Sequence, residues 1–416
     1  MKRIARSWKG SIDNLYYYTF IIMGVICCTP GLYQGVYMAF VALLSLFVIL
    51  FNSSYIRKNS HALLIYVSAF LLLMYIYRLF NISDDAWGRY VMYTIYNLQF
   101  LMVAFIPKLE RHGGKKIWWC AIMIALLNII YNIAIRIIFP YLGEKAEHME
   151  KDFLLSLNIG MSTFFTMSLF VFIIFLFVYL NSIEKKIKWI MLLFTIIPTV
   201  FIVWYTLKAS VVVLYFLSIV LLYFSKGKKK VGYLVRPFVV LSIILLLLTL
   251  FTDDIVQLVV STSPSERLTK RLVMLLDDKS IYASDSSFNA RSELWLLSLS
   301  TWLDNPSNFI FGVGSHFSSS GGNKVIGQHS DIFDLLAKFG LIGGLLTTVI
   351  LYMAVKAILK MFEKRCHLQI KMIFLVYIIC GFTKEIFSPS IGFALFLLLP
   401  LSSFVLRDQN KILRNE

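Results

Sequence analysis

GQHSDIFDLLAKFGLIGGLL, residues 327–346, is where this chain changes character. Before it, from about residue 252, the sequence is polar and charged; from residue 335 it becomes an apolar run that lasts to residue 358. A long polar segment bounded by apolar runs on both sides reads as chain that leaves a membrane and then re-enters it.

The rest of the sequence fits that reading. Of the 416 residues, 59% are hydrophobic and 15% charged, and the mean hydropathy is +0.76. A water-soluble protein could not hide so much apolar surface. Apolar runs fall at 14–30, 35–52, 62–80, 90–107, 117–139, 155–181, 188–206, 209–224, 233–251, 335–358, 368–387 and 390–406. Each is near the ~20 residues that cross a bilayer, which gives about 12 helices. The expected class is therefore an all-α polytopic membrane protein with one large loop late in the chain. Residues 1–251 would hold helices one to nine, 252–334 the loop, and 335–416 the last three helices and a tail.

Charge sets the expected orientation. With the N-terminus inside, 26 of the 40 Lys and Arg residues fall on cytoplasmic segments, including Lys185, Lys186, Lys188, Lys226, Lys228, Lys229 and Lys230. This positive-inside pattern puts both chain ends in the cytoplasm and residues 252–334 outside. The formal net charge of +17 thus needs no nucleic-acid partner. Arg78, Arg136 and Lys384 lie near outer helix ends, where snorkelling to the interface is the expected behaviour. The basic N-terminal MKRIARSWKG lacks a following small-residue cleavage site, and so reads as part of a retained first helix. Cys27, Cys28, Cys120, Cys366 and Cys380 show no metal-ligand spacing, and none lies in the long loop.

Within the loop, Ser263-Pro264-Ser265-Glu266 has the signature of a helix start, with Arg267, Lys270 and Arg271 flanking an apolar face. A second helix is predicted from Ala290 to Leu303, ending before Pro306. Its Arg291, Trp295, Leu299 and Trp302 share one stripe. Arg291 could bind a phosphate through two parallel hydrogen bonds, or simply pair with Glu293 or a lipid headgroup. Gly312 and Gly314 read as a turn or a close backbone approach rather than a nucleotide loop. Asp331 is placed to cap the next helix, and Asp334 to pair with Lys338; a glycosidase-like pair of carboxylates is the competing reading. His329, just before that helix, would be kept neutral by the helix dipole and able to accept a proton, or else be a polar interface residue without chemistry. Gly340, Gly343 and Gly344 permit tight helix packing.

The ordered set Arg291, Trp295, Pro306, Gly312-Val313-Gly314, His329-Ser330, Gly340 and Gly343 resembles the O-antigen polymerase and O-antigen ligase superfamily. The wording HSDIFDLLAKFGLIGG is more similar to the polymerase branch. The resemblance implies a fold like that of the GT-C glycosyltransferases, in a bacterial inner membrane with the active site facing the periplasm. It also implies undecaprenyl-pyrophosphate-linked oligosaccharides as substrates, with no cofactor and no metal. By the same resemblance His329 lies near the acceptor hydroxyl and Arg291 near the donor pyrophosphate. The family's further arginine is replaced by Lys208, in WYTLKAS. Arg267, Arg271, Trp295 and Asp331 complete the expected substrate-binding set.

The expected activity is metal-independent, inverting transfer of a growing glycan from its lipid diphosphate onto a lipid-linked repeat unit. The alternatives are a ligase acting on lipid A-core and a repeat-unit flippase. Membrane lipids are expected partners, and a chain-length regulator and a flippase are candidate ones; no nucleic acid is expected.

Overall fold

The computed structural model describes residues 2–32, 35–80, 87–139, 157–159, 162–205, 209–226, 287–314, 330–383 and 386–413. These are helices, in chain order α1 (Lys2–Cys28), α2 (Gly35–Phe51), α3 (Ser53–Phe80), α4 (Trp87–Val103), α5 (Gly114–Ile138), α6 (Ser162–Asn181), α7 (Lys185–Val200), α8 (Ala209–Phe224), α9 (Ser287–Leu303), α10 (Pro306–Phe311), α11 (Asp331–Leu359), α12 (His367–Thr383), α13 (Pro389–Gly392) and α14 (Leu399–Leu413). A π-helical turn, Phe201–Tyr205, extends α7, and another, Phe393–Leu398, joins α13 to α14. Among the described residues, seven helical segments are long and apolar enough to cross a membrane, and three shorter apolar helices accompany them. The protein is an all-α, multi-pass membrane protein. Eleven of the twelve expected runs are helical; the run at 233–251 and the helix expected after Ser263 lie outside the described residues.

The spans are not equivalent. Thr163–Asn181 is 83% buried and Pro389–Arg407 wholly so, whereas Ser60–Tyr77 and Asp331–Leu359 are each only 22% buried. The first two form the centre, and the others turn most of their apolar surface outward, as lipid-facing helices do. The buried final span needs its π-turn. Pro400 has no N–H to give the carbonyl of Phe396, so the hydrogen-bond ladder slips by one residue just before it. The carbonyl of Leu398 instead takes the indole N–H of Trp118, at 3.1 Å.

Short connections make successive spans antiparallel, so the starts of α2, α4, α11 and α13 lie at the same end of the bundle as the finishes of α1, α3, α5 and α12. This is the site end. At the opposite end, basic residues of three connections converge. The Lys226 ammonium is held below the usual lysine range, by burial first and then by repulsion from Lys188 and Arg365. That end is also tied by hydrogen bonds from Asn181 Nδ2 to Gln369 Oε1 at 2.6 Å and from Gln369 Nε2 to the Leu222 carbonyl at 3.0 Å. Arg407 joins it, donating to the Met361 carbonyl at 2.6 Å and pairing with Glu110 at 3.6 Å.

Arg136 corrects the sequence reading. It does not snorkel: it is 5% exposed, with its guanidinium 5.3 Å from the ring centres of both Phe165 and Phe201. Its Nη1 donates to the carbonyl and side-chain oxygens of Asn132. A cation can stay inside when aromatic faces and carbonyls replace its water. The side chains of Arg78 and Lys384 lie outside the described residues.

Candidate functional site

Four pieces of chain meet where α11 begins: α9, α10 with the turn after it, the finish of α3, and the turn between α12 and α13. The first residues of α11 make most of the connections. Ser330 is its N-cap, with Oγ accepting from the Phe333 amide at 3.3 Å. The cap is thus one residue earlier than expected, because Asp331 is needed elsewhere. Its carboxylate, buried in the bundle, accepts the backbone amides of Ile386 and of Phe387, the latter at 2.6 Å. Two otherwise orphaned N–H groups in the α12–α13 turn are thereby satisfied by one charged acceptor. Asp334 is also buried, and accepts from Ser298 Oγ at 2.7 Å and from the Ser330 amide at 3.4 Å. Ser330 Oγ in turn donates to the Gly381 carbonyl at 3.2 Å. The residue that follows His329 is therefore anchored on its amide and on its side chain.

Helix α9 begins at Ser287, three residues before the expected Ala290, and stops at Leu303 as expected. Among its described side chains Ser298 and Thr301 are buried, while Leu296 and Leu303 are 62% and 55% exposed. In a membrane protein small hydroxyls favour the helix–helix contact and leucine is at ease outside. Trp295 lies half-buried against Phe333, with ring centres 6.4 Å apart, and Phe333 continues to Phe382 at 5.6 Å. Trp302 is engaged locally: it stacks on Phe309 at 5.0 Å, and its indole N–H donates to the Phe309 carbonyl at 3.0 Å.

Helix α10 was not foreseen, although its signal is in the sequence. Asn305 caps it, accepting from the Asn308 amide at 2.8 Å, and Pro306 occupies the first turn. The chain then reaches Gly312 and Gly314, both at positive φ (74° and 76°). This agrees with the expected turn and close approach. A Cβ on Gly312 would lie 2.5 Å from the Lys338 carbonyl oxygen, and one on Gly340 would lie 2.3 Å from that of Ile310. Gly340 (φ 62°, ψ −165°) breaks α11, and the nearby Ala337 carbonyl receives the Val313 amide at 2.9 Å. Backbone thus docks on backbone, with only glycine able to stand at either face of the joint. Tyr77 secures it from α3 by donating to the Phe311 carbonyl, and the Phe339 ring packs on Tyr77 and Phe70.

Below the joint, Tyr93, Tyr96, Asn97, Asp331 and Lys338 line, with Phe70, Phe100, Leu335, Phe339 and Phe387, a narrow and mostly apolar cleft of about 10 Å³. That is near the smallest volume that holds a single water, so no sugar fits there. Lys338 is 2% exposed. Among the described residues no three His, Cys, Asp or Glu side chains gather as metal ligands.

Of the expected site residues, Trp295 and Asp331 are thus brought to one joint. Arg291 lies on α9, seven residues from Ser298 and so about 10 Å along the helix, with its side chain outside the described residues. His329, Lys208, Arg267 and Arg271 also lie outside them. Residues 193–348 match the family described as O-antigen ligase, a segment that spans Lys208, Arg291, Trp295, His329 and the Gly312–Gly340 joint. No curated protein matches the chain. Over this segment the chain is similar to the O-antigen polymerase/ligase superfamily.

Proposed function

We propose that the chain is a glycosyltransferase that polymerises a surface polysaccharide, moving a growing glycan from its polyprenyl diphosphate onto a lipid-linked repeat unit. The observation that carries this reading is the joint at the start of α11. It anchors Ser330 next to His329 and, through Ser298 and Asp334, ties α9, which bears Arg291, to the same place. A site for group transfer needs its base and its cation held by rigid elements rather than by loose loop.

In the proposed step the acceptor hydroxyl oxygen attacks the anomeric carbon and gives its proton to the His329 imidazole. The bond from the anomeric carbon to the diphosphate oxygen breaks with inversion. The leaving diphosphate carries the developing negative charge, and Arg291 with Lys208 stabilises it; Arg267 and Arg271 lie on the same polar segment and add positive charge. Trp295 offers a ring face to the sugar. Asp331 acts through structure, since its carboxylate holds the α12–α13 turn. In this reading the site faces the periplasm of a bacterial inner membrane, as the distribution of lysine and arginine suggests.

The family description favours a second reading, ligation of the finished glycan to lipid A-core. It uses the same residues with another acceptor. Purified protein given a synthetic lipid-linked repeat unit separates the two: a ladder of lengthening products supports polymerisation. Transfer only to added lipid A-core shows ligation. Movement of the repeat between leaflets without bond formation shows a flippase. His329→Ala and Arg291→Ala should each leave the protein in the membrane and abolish the ladder; normal ladders from both would remove the assigned site.

A further inference from the structure

We propose that the start of α7, the finish of α8 and the turn before α12 form a binding site for a phospholipid with two phosphates, of the cardiolipin class, at the end of the bundle opposite the candidate site. The inference does not depend on the glycosyl-transfer reading. Its frame is a set of buried hydrogen bonds. Asn181, in the last turn of α6, donates through Nδ2 to Gln369 Oε1 of α12 at 2.6 Å and accepts from Cys366 Sγ at 3.5 Å. Gln369 Nε2 donates to the Leu222 carbonyl of α8 at 3.0 Å. These bonds hold three helix ends around one point, and each end brings a cation with it. Lys188 follows Asn181 by seven residues, Lys226 follows Leu222 by four, and Arg365 adjoins Cys366.

The charges gathered there do not balance. Lys185, Lys186, Lys188, Lys226, Lys364 and Arg365 stand against two carboxylates, Glu184 and Glu363. Glu363 is engaged by Arg365 at 2.8 Å. The ammonium groups of Lys188 and Lys226 have no hydrogen-bond or carboxylate partner among the described residues. They and Arg365 are close enough to repel one another, which adds to the lowering of Lys226 by burial. An anion seated among them would offset that repulsion. The neighbouring surface says that the anion is a lipid. Trp189, Leu193 and Ile196 form an outward stripe on α7, Phe216 and Tyr223 lie outward on α8, and each is more than half exposed. Both helices are apolar members of the membrane set, so these stripes face hydrocarbon. Each stripe ends on an aromatic ring within one turn of an unpaired ammonium: Trp189 adjoins Lys188, and Tyr223 precedes Lys226 by three residues. Tryptophan and tyrosine mark the level of the headgroups, so the cations stand where phosphates lie and the stripes where acyl chains lie. With Arg365 holding Glu363, Lys188 and Lys226 supply two unmatched charges, and a diphosphatidyl headgroup carries two.

The test uses the full chain, purified in detergent and stripped of native lipid, then titrated with cardiolipin, phosphatidylglycerol or phosphatidylethanolamine while native mass spectrometry counts bound lipids. One cardiolipin should bind about fivefold more tightly than phosphatidylglycerol, for its one further charge, and phosphatidylethanolamine should bind more weakly than either. Lys188→Gln combined with Lys226→Gln should weaken cardiolipin about 25-fold, roughly fivefold for each charge removed. Lys188→Arg combined with Lys226→Arg keeps both charges and should bind within about twofold of the unaltered protein. The control is Arg57→Gln with Lys58→Gln, two exposed cations where α3 begins at the same end of the bundle; it should change cardiolipin binding by less than about twofold. An equal loss in the control pair, or equal affinity for cardiolipin and phosphatidylglycerol, would overturn the site. Displacement of the lipid by equimolar inorganic pyrophosphate would overturn it too, in favour of a soluble polyphosphate. No glycan enters these assays, so their failure leaves the transfer reading untouched.

Discussion

The two ends of this bundle bury polar groups in different ways. At the end opposite the site, side chains bond to one another and to carbonyls of regular helices: Asn181 to Gln369, Gln369 to Leu222, Lys108 Nζ to Asn52 Oδ1 at 2.7 Å. At the site end, main chain meets main chain at Gly312 and Gly340, and two carboxylates hold a turn and a neighbouring helix. Side-chain networks between intact helices tolerate substitution, because the helices keep their own hydrogen bonds. A joint made of broken helix and turn depends on a few residues that have no substitutes. The site end is thus the brittle end, and both glycines of its joint fall in the family segment.

Substitutions rank the two ends by that difference. Gly340→Val should be the most severe: it forces positive φ on a branched residue against a carbonyl, costs well over about 2 kcal/mol, and should show as loss of both folded protein and product. Asp331→Ala comes next. It leaves two buried amides unpaired and should lower stability by about 3 kcal/mol, read as loss of soluble monodisperse protein on heating; Asp331→Asn, which keeps one acceptor, should recover part of it. Gln369→Leu at the far end should lower stability by about 1–2 kcal/mol and leave product per folded molecule unchanged. The mildest should be Lys108→Met. Its ammonium lies 5.7–5.9 Å from the rings of Tyr16, Tyr55 and Phe105, and its loss should cost about 0.5–1 kcal/mol with turnover unaffected. If Gln369→Leu impaired turnover as much as Asp331→Ala, the contrast between the ends would fail.

Particular residues show what could be read in advance. Gly312 and Gly314 announced a turn or a close backbone approach, while Gly340 was read only as room for tight helix packing; that Gly312 and Gly340 face each other was not readable, since they are far apart in sequence. Asp331 looked like a cap, because Ser330 and Asp331 are both good caps and only the position of Ile386 and Phe387 decides between them. The stripe on α9 did not reveal that Ser298 would be buried, because its partner Asp334 lies 36 residues further along the chain. Arg136 was assigned to the interface because nothing local reveals that Phe165 and Phe201 would cover it.

The sequence by itself determined the membrane as solvent, where along the chain most spans lie, and the segment with the family's ordered residues. Those follow from composition and local pattern: apolar length and glycine placement act within a few turns. Only the tertiary structure decided which spans are central, which carboxylate holds which turn, and which glycines meet. Each of those depends on groups tens to hundreds of residues apart, and contacts at that range are set by the packing of whole helices.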